Sequence, residues 1–245
     1  MRPTLILIII ILLLILYLLN SYTENVIEAV SPCHSRENFT DEKGWTILLT
    51  TCVNPMNKND QDEIKFRTEL YKTQIQKWLD NTKYHIFVVE SSNNKDLISG
   101  INDPDGRLSY YFFSIDKKIS SSSVGEYESI KYALKNMKEN EEYKKCKYVL
   151  KVTGRYFLDG IENVINKVEK NKDMYLQIHR TGDYQNSEYF GMKKALLSDF
   201  IDFFNVNKLM EVNLYKFSID KDYVLFGPFK NDVQRGGDKI VLTQL

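Results

Sequence analysis

The sequence predicts an α/β domain with a mostly parallel central sheet, preceded by an N-terminal transmembrane helix. Three observations predict it. Strand and helix patterns alternate with short connections from Trp45 onward. The segment Tyr148–Asp159, YVLKVTGRYFLD, runs apolar and then turns cationic where a buried strand should end. An uncharged Leu/Ile run, TLILIIIILLLILYLL, fills Thr4–Leu19.

The elements follow in order. At about 1.5 Å per residue the apolar run spans roughly 24 Å, slightly short of a ~30 Å hydrocarbon core. A cleaved signal peptide and an uncleaved anchor both fit. The anchor is expected, because no small-x-small cleavage site follows at Asn20–Glu24. Arg2 precedes the run and Glu24 and Glu28 follow it, which orients the N-terminus to the cytosol. Residues 1–3 are then a cytosolic tail, 4–20 a signal anchor, 21–43 a stalk and 44–245 the folded domain. The expected product is a single-pass type II membrane protein facing the Golgi or endoplasmic reticulum lumen, or a virus-encoded equivalent. Asn38-Phe39-Thr40 is a glycosylation sequon, usable only on that side.

Trp45–Val53 reads as a buried strand and residues 61–80 as an amphipathic helix presenting Ile64, Tyr71, Ile75, Trp78 and Leu79. Residues 84–90 and 108–114 are the next strands. Between them, Asp103-Pro104-Asp105-Gly106 has the form Asp-x-Asp but the chemistry of a turn. Ser120–Gly125 opens a helix with Tyr127, Ile130, Leu134 and Met137 on one face. Residues 148–153 form the fourth strand. A helix over 160–170 and strands at 174–179 and 187–192 follow. Helices fit 193–204 and 208–217, with extended segments at 223–227 and 240–242.

The chain carries 33 basic and 33 acidic residues, and no basic block points to a nucleic-acid partner. Its three cysteines, Cys33, Cys52 and Cys146, have no zinc spacing. In an oxidising lumen one disulfide would leave an odd thiol; buried apolar roles fit them equally.

Several residues could carry chemistry. Ligands of open α/β sheets bind at the carboxyl ends of strands. Lys151 and Arg155 flank Gly154, which allows close backbone approach, and suit a phosphate-bearing ligand there; pairing with Asp159 or another acid is the structural alternative, and Asp159 also fits as a helix cap. Ser120–Glu126 opens a helix whose N–H groups and dipole can hold a diphosphate, or whose serines simply cap it. His179 could act as a base or pack at a strand end. Glu188 and Glu211 are carboxylates able to deprotonate an acceptor hydroxyl, or solvated surface residues. Gly191 would allow close approach to a ligand. Arg235-Gly236-Gly237-Asp238 is a turn that could close over a ligand or lie at the surface.

Taken in order, TILLTTCVNP, YHIFVVESS, SVGEYESIKYAL, YVLKVTGRYF, SEYFGMKKAL, LMEVNLYKF and RGGDKIVLTQL resemble a GT-A-type glycosyltransferase. The closest likeness is to capsule- and lipopolysaccharide-type transferases of bacteria and large viruses. The resemblance implies a single Rossmann-like domain that moves a sugar from a nucleotide-sugar donor to a glycan or glycoconjugate hydroxyl. It implies that Thr50, Thr51 and Cys52, with Glu90 and Ser91, lie near the nucleoside, and Gly125 and Glu126 near the donor. It places Lys151, Thr153 and Arg155 where many such enzymes carry an Asp-x-Asp metal site. Lys and Arg cannot ligate a divalent ion. Either the cations offset the diphosphate charge, or Mn²⁺ or Mg²⁺ binds elsewhere. The expected bases are Glu211 first and Glu188 second. A non-catalytic glycan- or partner-binding protein on the same scaffold is the alternative. A nucleotidyltransferase is a third reading, and the missing GxxxxGK[ST] loop argues against a P-loop kinase.

Overall fold

The computed structural model describes residues 44–55, 60–115, 121–178, 180–234 and 241–244. These lie in the second of two units into which the chain divides, Asp41–Leu245. The order is β1 (Trp45–Thr51), α1 (Gln61–Asn81), β2 (His85–Glu90), β3 (Leu108–Phe112), α2 (Ser122–Met137), α3 (Glu141–Lys145), β4 (Tyr148–Thr153) and α4 (Ile161–Lys167). It continues with β5 (Met174–Gln177), β6 (Arg180–Thr181), β7 (Tyr184–Gln185), β8 (Tyr189–Lys193), α5 (Lys194–Phe203), α6 (Met210–Ser218), β9 (Tyr223–Phe226), β10 (Lys230–Gln234) and β11 (Val241–Gln244).

Seven strands form one sheet in the order β3-β2-β1-β4-β8-β5-β9. The first four are mutually parallel; β8 runs antiparallel to both β4 and β5, and β9 is parallel to β5. Both faces are covered, so the inner strands are apolar at nearly every position. Ile47 and Leu49 face one core with Tyr71, Ile75 and Trp78 of α1 and Ile161 of α4. Leu48 faces the other with Ile130 of α2, Phe200 of α5 and Leu214 of α6. This is the period-2 alternation of a strand buried on two sides.

Capping sets the helix ends. Asp60 accepts from the N–H groups of Asp62 and Glu63, both at 3.1 Å, and starts α1. Ser121 accepts from Val124 N at 3.3 Å and starts α2. The Asp103–Gly106 segment is the turn its chemistry implied: Gly106 N donates to Asp103 O at 3.3 Å, with Gly106 at φ 64°. The Asp103 carboxylate accepts from the backbone of Arg107 and Leu108 at 2.9 Å each. Arg107 then closes the end of α1, donating to the carbonyls of Thr82 (2.6 Å), Tyr84 (3.3 Å) and Leu79. Arg107→Ala is therefore expected to lower unfolding free energy by about 2–3 kcal/mol, since it strips a charged donor from part-buried carbonyls. A urea midpoint unchanged from wild type would remove that role.

Several short elements go beyond the pattern in the sequence: helix α3, the hairpin β6–β7 and strand β10, which pairs antiparallel with the expected extended segment at β11. Each has too few residues to show a period. One expectation is corrected. A single-pass type II protein facing the Golgi or endoplasmic reticulum lumen is not upheld, because among the described residues no helix is long and apolar enough to cross a membrane. The apolar segment 4–20, Cys33 and the sequon at Asn38 lie outside the described residues.

Candidate functional site

β1 sits between β2 and β4, with the chain leaving β1 toward β2 on one side and returning as β4 on the other. The crevice beyond the carboxyl ends of β1 and β4 is thus the topological switch point, where this architecture binds ligands. Thr51 and Cys52 border it from β1, and Thr153, Gly154 and Arg155 from β4. Gly154 N donates to Thr50 O at 2.8 Å. A Cβ at Gly154 would run into the Thr51 side chain and stand 3.1 Å from Thr50 O. The glycine therefore serves the approach of two strands, where sequence chemistry had assigned it to a ligand. Gly191 is similar: a Cβ there would lie 2.8 Å from the Trp45 indole, so its space admits that ring and not a ligand.

On the α2/α6 side of the sheet a polar network ties the site together. Lys151 is fully buried. Its ammonium pairs with Glu126 Oε1, donates to Ser187 O at 2.8 Å and to Thr153 Oγ1 at 3.2 Å. Thr153 Oγ1 in turn donates to Glu126 Oε1 at 3.3 Å. A lysine has three N–H donors, and all three are spent inside the protein. The expected contact of Lys151 with a diphosphate leaves no donor to make it; its surroundings hold Glu126 instead. Ser187 links this cluster to the next carboxylate, its hydroxyl donating to Glu211 Oε1 at 3.0 Å. Glu211 stands in the first turn of α6, which has no side-chain cap. Met210 N, at that helix start, donates to Ser123 Oγ of α2 at 3.0 Å, so the two helix N-termini meet. Glu188 is beside them, its carbonyl accepting from Thr153 N at 2.8 Å. The structure therefore gathers Glu126, Lys151, Thr153, Glu188 and Glu211 around one strand end. Gly125 lies in the same first turns of α2, its N–H bonded to Ser121 O at 3.2 Å.

The loops after β1 and β2 are organised by Glu90, which is completely buried. Its carboxylate accepts from Val53 N (2.9 Å), Ser92 N (3.0 Å), Ser92 Oγ and Asn94 N (2.6 Å). Ser91 Oγ donates to Thr51 O at 3.1 Å, and Thr51 Oγ1 to Val89 O at 3.0 Å. Thr50, Thr51, Glu90 and Ser91 thus shape the rim through backbone and buried side chains.

On the α1 side stands a cation of a different kind. Arg155 is half-buried, its Nε is buried without a hydrogen bond, and it forms no ion pair among the described residues. Its guanidinium lies 5.3 Å from the Tyr156 ring centroid. Arg67 and Tyr71 of α1 are neighbours that the sequence reading had not assigned to the site. Both reach toward Cys52 O, at 3.5 and 3.4 Å, and Arg67 is paired with Glu63 at 2.8 Å. Burial raises the Tyr71 phenol pKa, with Arg67 and Arg155 opposing.

The remaining candidates divide. Asp159 is exposed, and α4 opens on Gly160 with no side-chain cap, so Asp159 neither caps nor pairs with Lys151. Cys52 and Cys146 are free thiols. Burial raises Cys52 and pushes Cys146 up to about 11, the opposite of an activated nucleophile. His179 and the turn Arg235–Asp238 lie outside the described residues. Among the described residues no group of three or more His, Cys, Asp or Glu could hold a metal ion. Ser187 was missed because a lone serine before a short strand carries no pattern; only its adjacency to Glu188 marks it.

No family model and no curated protein matches the chain. Solved structures similar to it include a 4-diphosphocytidyl-2C-methyl-D-erythritol synthase from Anaerococcus prevotii, at 15% identity and TM-score 0.48, covering 76% of this chain and 89% of that one. A cytidylyltransferase from Leptospira borgpetersenii is similar at 10% identity and TM-score 0.46, covering 74% and 75%. A glycosyltransferase involved in glycosylation of the major capsid of PBCV-1 is similar at 10% identity and TM-score 0.44, covering 74% and 81%. The likeness is one of fold outline, and no residue role is carried over from them.

Proposed function

We propose that this chain is a nucleotide-sugar-dependent glycosyltransferase acting on the hydroxyl of a glycan or glycoconjugate. One observation carries the reading. Around the end of β4 stand a cation with no ion-pair partner among the described residues, Arg155, and a carboxylate tethered at a helix start, Glu211. Sugar transfer by single displacement needs that pair: a base for the acceptor proton, and positive charge where the departing diphosphate gains negative charge.

In this mechanism the acceptor oxygen loses its proton to Glu211 and attacks the anomeric carbon as the bond to the diphosphate breaks. Glu188 is the second candidate for the base. Arg155 steadies the leaving group, while Lys151 holds Glu126 and Thr153 in place beneath it. Thr50, Thr51, Glu90 and Ser91 form the nucleoside side of the crevice, and Gly125 with Glu126 the donor side. Divalent ions take hard oxygen ligands, and the end of β4 offers Lys151, Thr153 and Arg155. That donor set does not fit Mn²⁺ or Mg²⁺, and no step is routed through a metal.

The test is a donor-hydrolysis screen of the full chain against a panel of nucleotide sugars, with and without Mn²⁺. One donor is expected to release its nucleoside diphosphate, and Arg155→Ala to raise the KM for that donor about 10–100-fold, the worth of a charged hydrogen bond. If no donor is cleaved and no nucleotide raises the melting temperature, the scaffold is a non-catalytic glycan- or partner-binding protein. Release of pyrophosphate from a nucleoside triphosphate would assign nucleotidyl transfer instead.

A further inference from the structure

β1 and β4 begin at a cavity of about 160 Å³, lined in part by Trp45, Tyr84, Tyr148 and Tyr175. It lies at the end of the sheet opposite the candidate site. β4 has six residues, and at about 3.3 Å each its two ends are roughly 20 Å apart. None of the residues given a part in the proposed reaction lines it.

Its walls are built for a ring. Trp45 stacks on Tyr148 with centroids 4.7 Å apart and planes at 18°, and Tyr175 meets Trp45 edge-on at 4.9 Å. The missing side chain of Gly191 is what lets the indole lie there. The Tyr148 hydroxyl is buried beside that of Tyr175. The Tyr175 hydroxyl donates to Glu169 O at 3.1 Å; burial first, then the Tyr148 hydroxyl near it, raise its pKa.

The remaining lining is polar and one-signed. Lys147 and Lys170 supply two ammonium groups, Asn166 and Asn171 two amides, and no Asp or Glu lines the cavity. Lys147 Nζ donates to Asn171 Oδ1 at 2.7 Å, and Asn171 sits in the left-handed region at φ 67°. An apolar cavity of about 150 Å³ accepts one benzene ring, so the size here is that of one six-membered ring. Aromatic walls suit the C–H faces of a sugar, amides suit its hydroxyls, and two ammonium groups suit a carboxylate. We propose that this cavity binds a single sugar ring bearing a carboxylate, remote from the reaction edge.

The sequence has two tryptophans, and Trp78 is fully buried, so a ligand-induced change in emission reports Trp45. The full chain is titrated with glucuronate, glucose and benzoate, and the titration is repeated on the variants Lys147→Ala/Lys170→Ala, Asn166→Ala and Glu211→Gln. Glucuronate is expected to give a saturable change, with glucose at least about tenfold weaker and benzoate silent. The lysine and asparagine variants lose affinity with unchanged circular dichroism, and Glu211→Gln retains it. Absence of saturation with glucuronate overturns the proposal. Benzoate binding as well as glucuronate overturns the sugar assignment. Loss of the signal in Glu211→Gln alone, with the lysine variant intact, moves the ligand to the reaction edge and overturns the site. Because binding is read without turnover, these outcomes stand whether or not the chain transfers a sugar.

Discussion

Glu126→Gln is expected to lower unfolding free energy by about 3–5 kcal/mol, the cost of leaving one partner of a buried ion pair alone. The Lys151 side chain is 0% exposed and that of Glu126 18%. With the carboxylate gone, the ammonium has only neutral acceptors, Thr153 Oγ1, Ser187 O and the new amide oxygen. Its charge is then uncompensated against the Phe190 ring and the core that holds Leu176 and Leu197. Removing the charge as well separates pairing from volume. Glu126→Gln combined with Lys151→Met replaces the pair by a neutral amide and an apolar chain of similar length, and is expected to recover most of the loss. Urea unfolding of wild type, both single variants and the double variant measures the coupling directly. A single variant within about 1 kcal/mol of wild type, or additive effects in the double, would show that the pair is solvated.

That network also marks the boundary of what the sequence discloses. The strand Tyr148–Thr153 is legible to the residue, because β-branched and apolar residues run to a glycine with Lys151 as the one interruption. The same run misleads about Lys151. A lysine near the end of a strand looks like a residue emerging into a binding crevice, yet the strand continues two residues further and carries Lys151 under the layer of α2 and α6. Only Glu126, 25 positions earlier on another element, explains how the charge is tolerated, and that proximity is nonlocal. Arg155 lies two residues past the last strand residue, on the α1 side, with no ion pair among the described residues. The direction of β8 is hidden for the same reason, since pairing sense depends on neighbours that the local pattern does not name. Glycine was legible as a need for space and illegible as to the occupant: Thr51 at Gly154, and Trp45 at Gly191. The serine-rich start of α2 shows its capping reading, with Ser121 capping the helix and Ser123 receiving Met210 N from α6.

Glu211→Gln is expected to reduce turnover about 10²–10⁴-fold, the usual contribution of a positioned general base, with the donor KM nearly unchanged. The amide keeps an oxygen that can accept from the Ser187 hydroxyl, which now reaches Oε1 at 3.0 Å, so the start of α6 should stay in place. What is lost is the capacity to take a proton. Because α6 opens without a side-chain cap and its first N–H bonds to Ser123, the carboxylate is fixed by two elements other than its own helix. A fixed base pays little reorganisation at the moment of transfer, which is why the effect should fall on kcat and not on binding. Glu188→Gln measured in parallel decides between the two carboxylates: the larger loss identifies the base. Its carbonyl bond to Thr153 N is untouched by the change, so a drop there cannot be ascribed to the β4–β8 ladder. Near-normal turnover in both variants would remove general-base catalysis by either residue and leave the acceptor to be activated by a group outside this cluster.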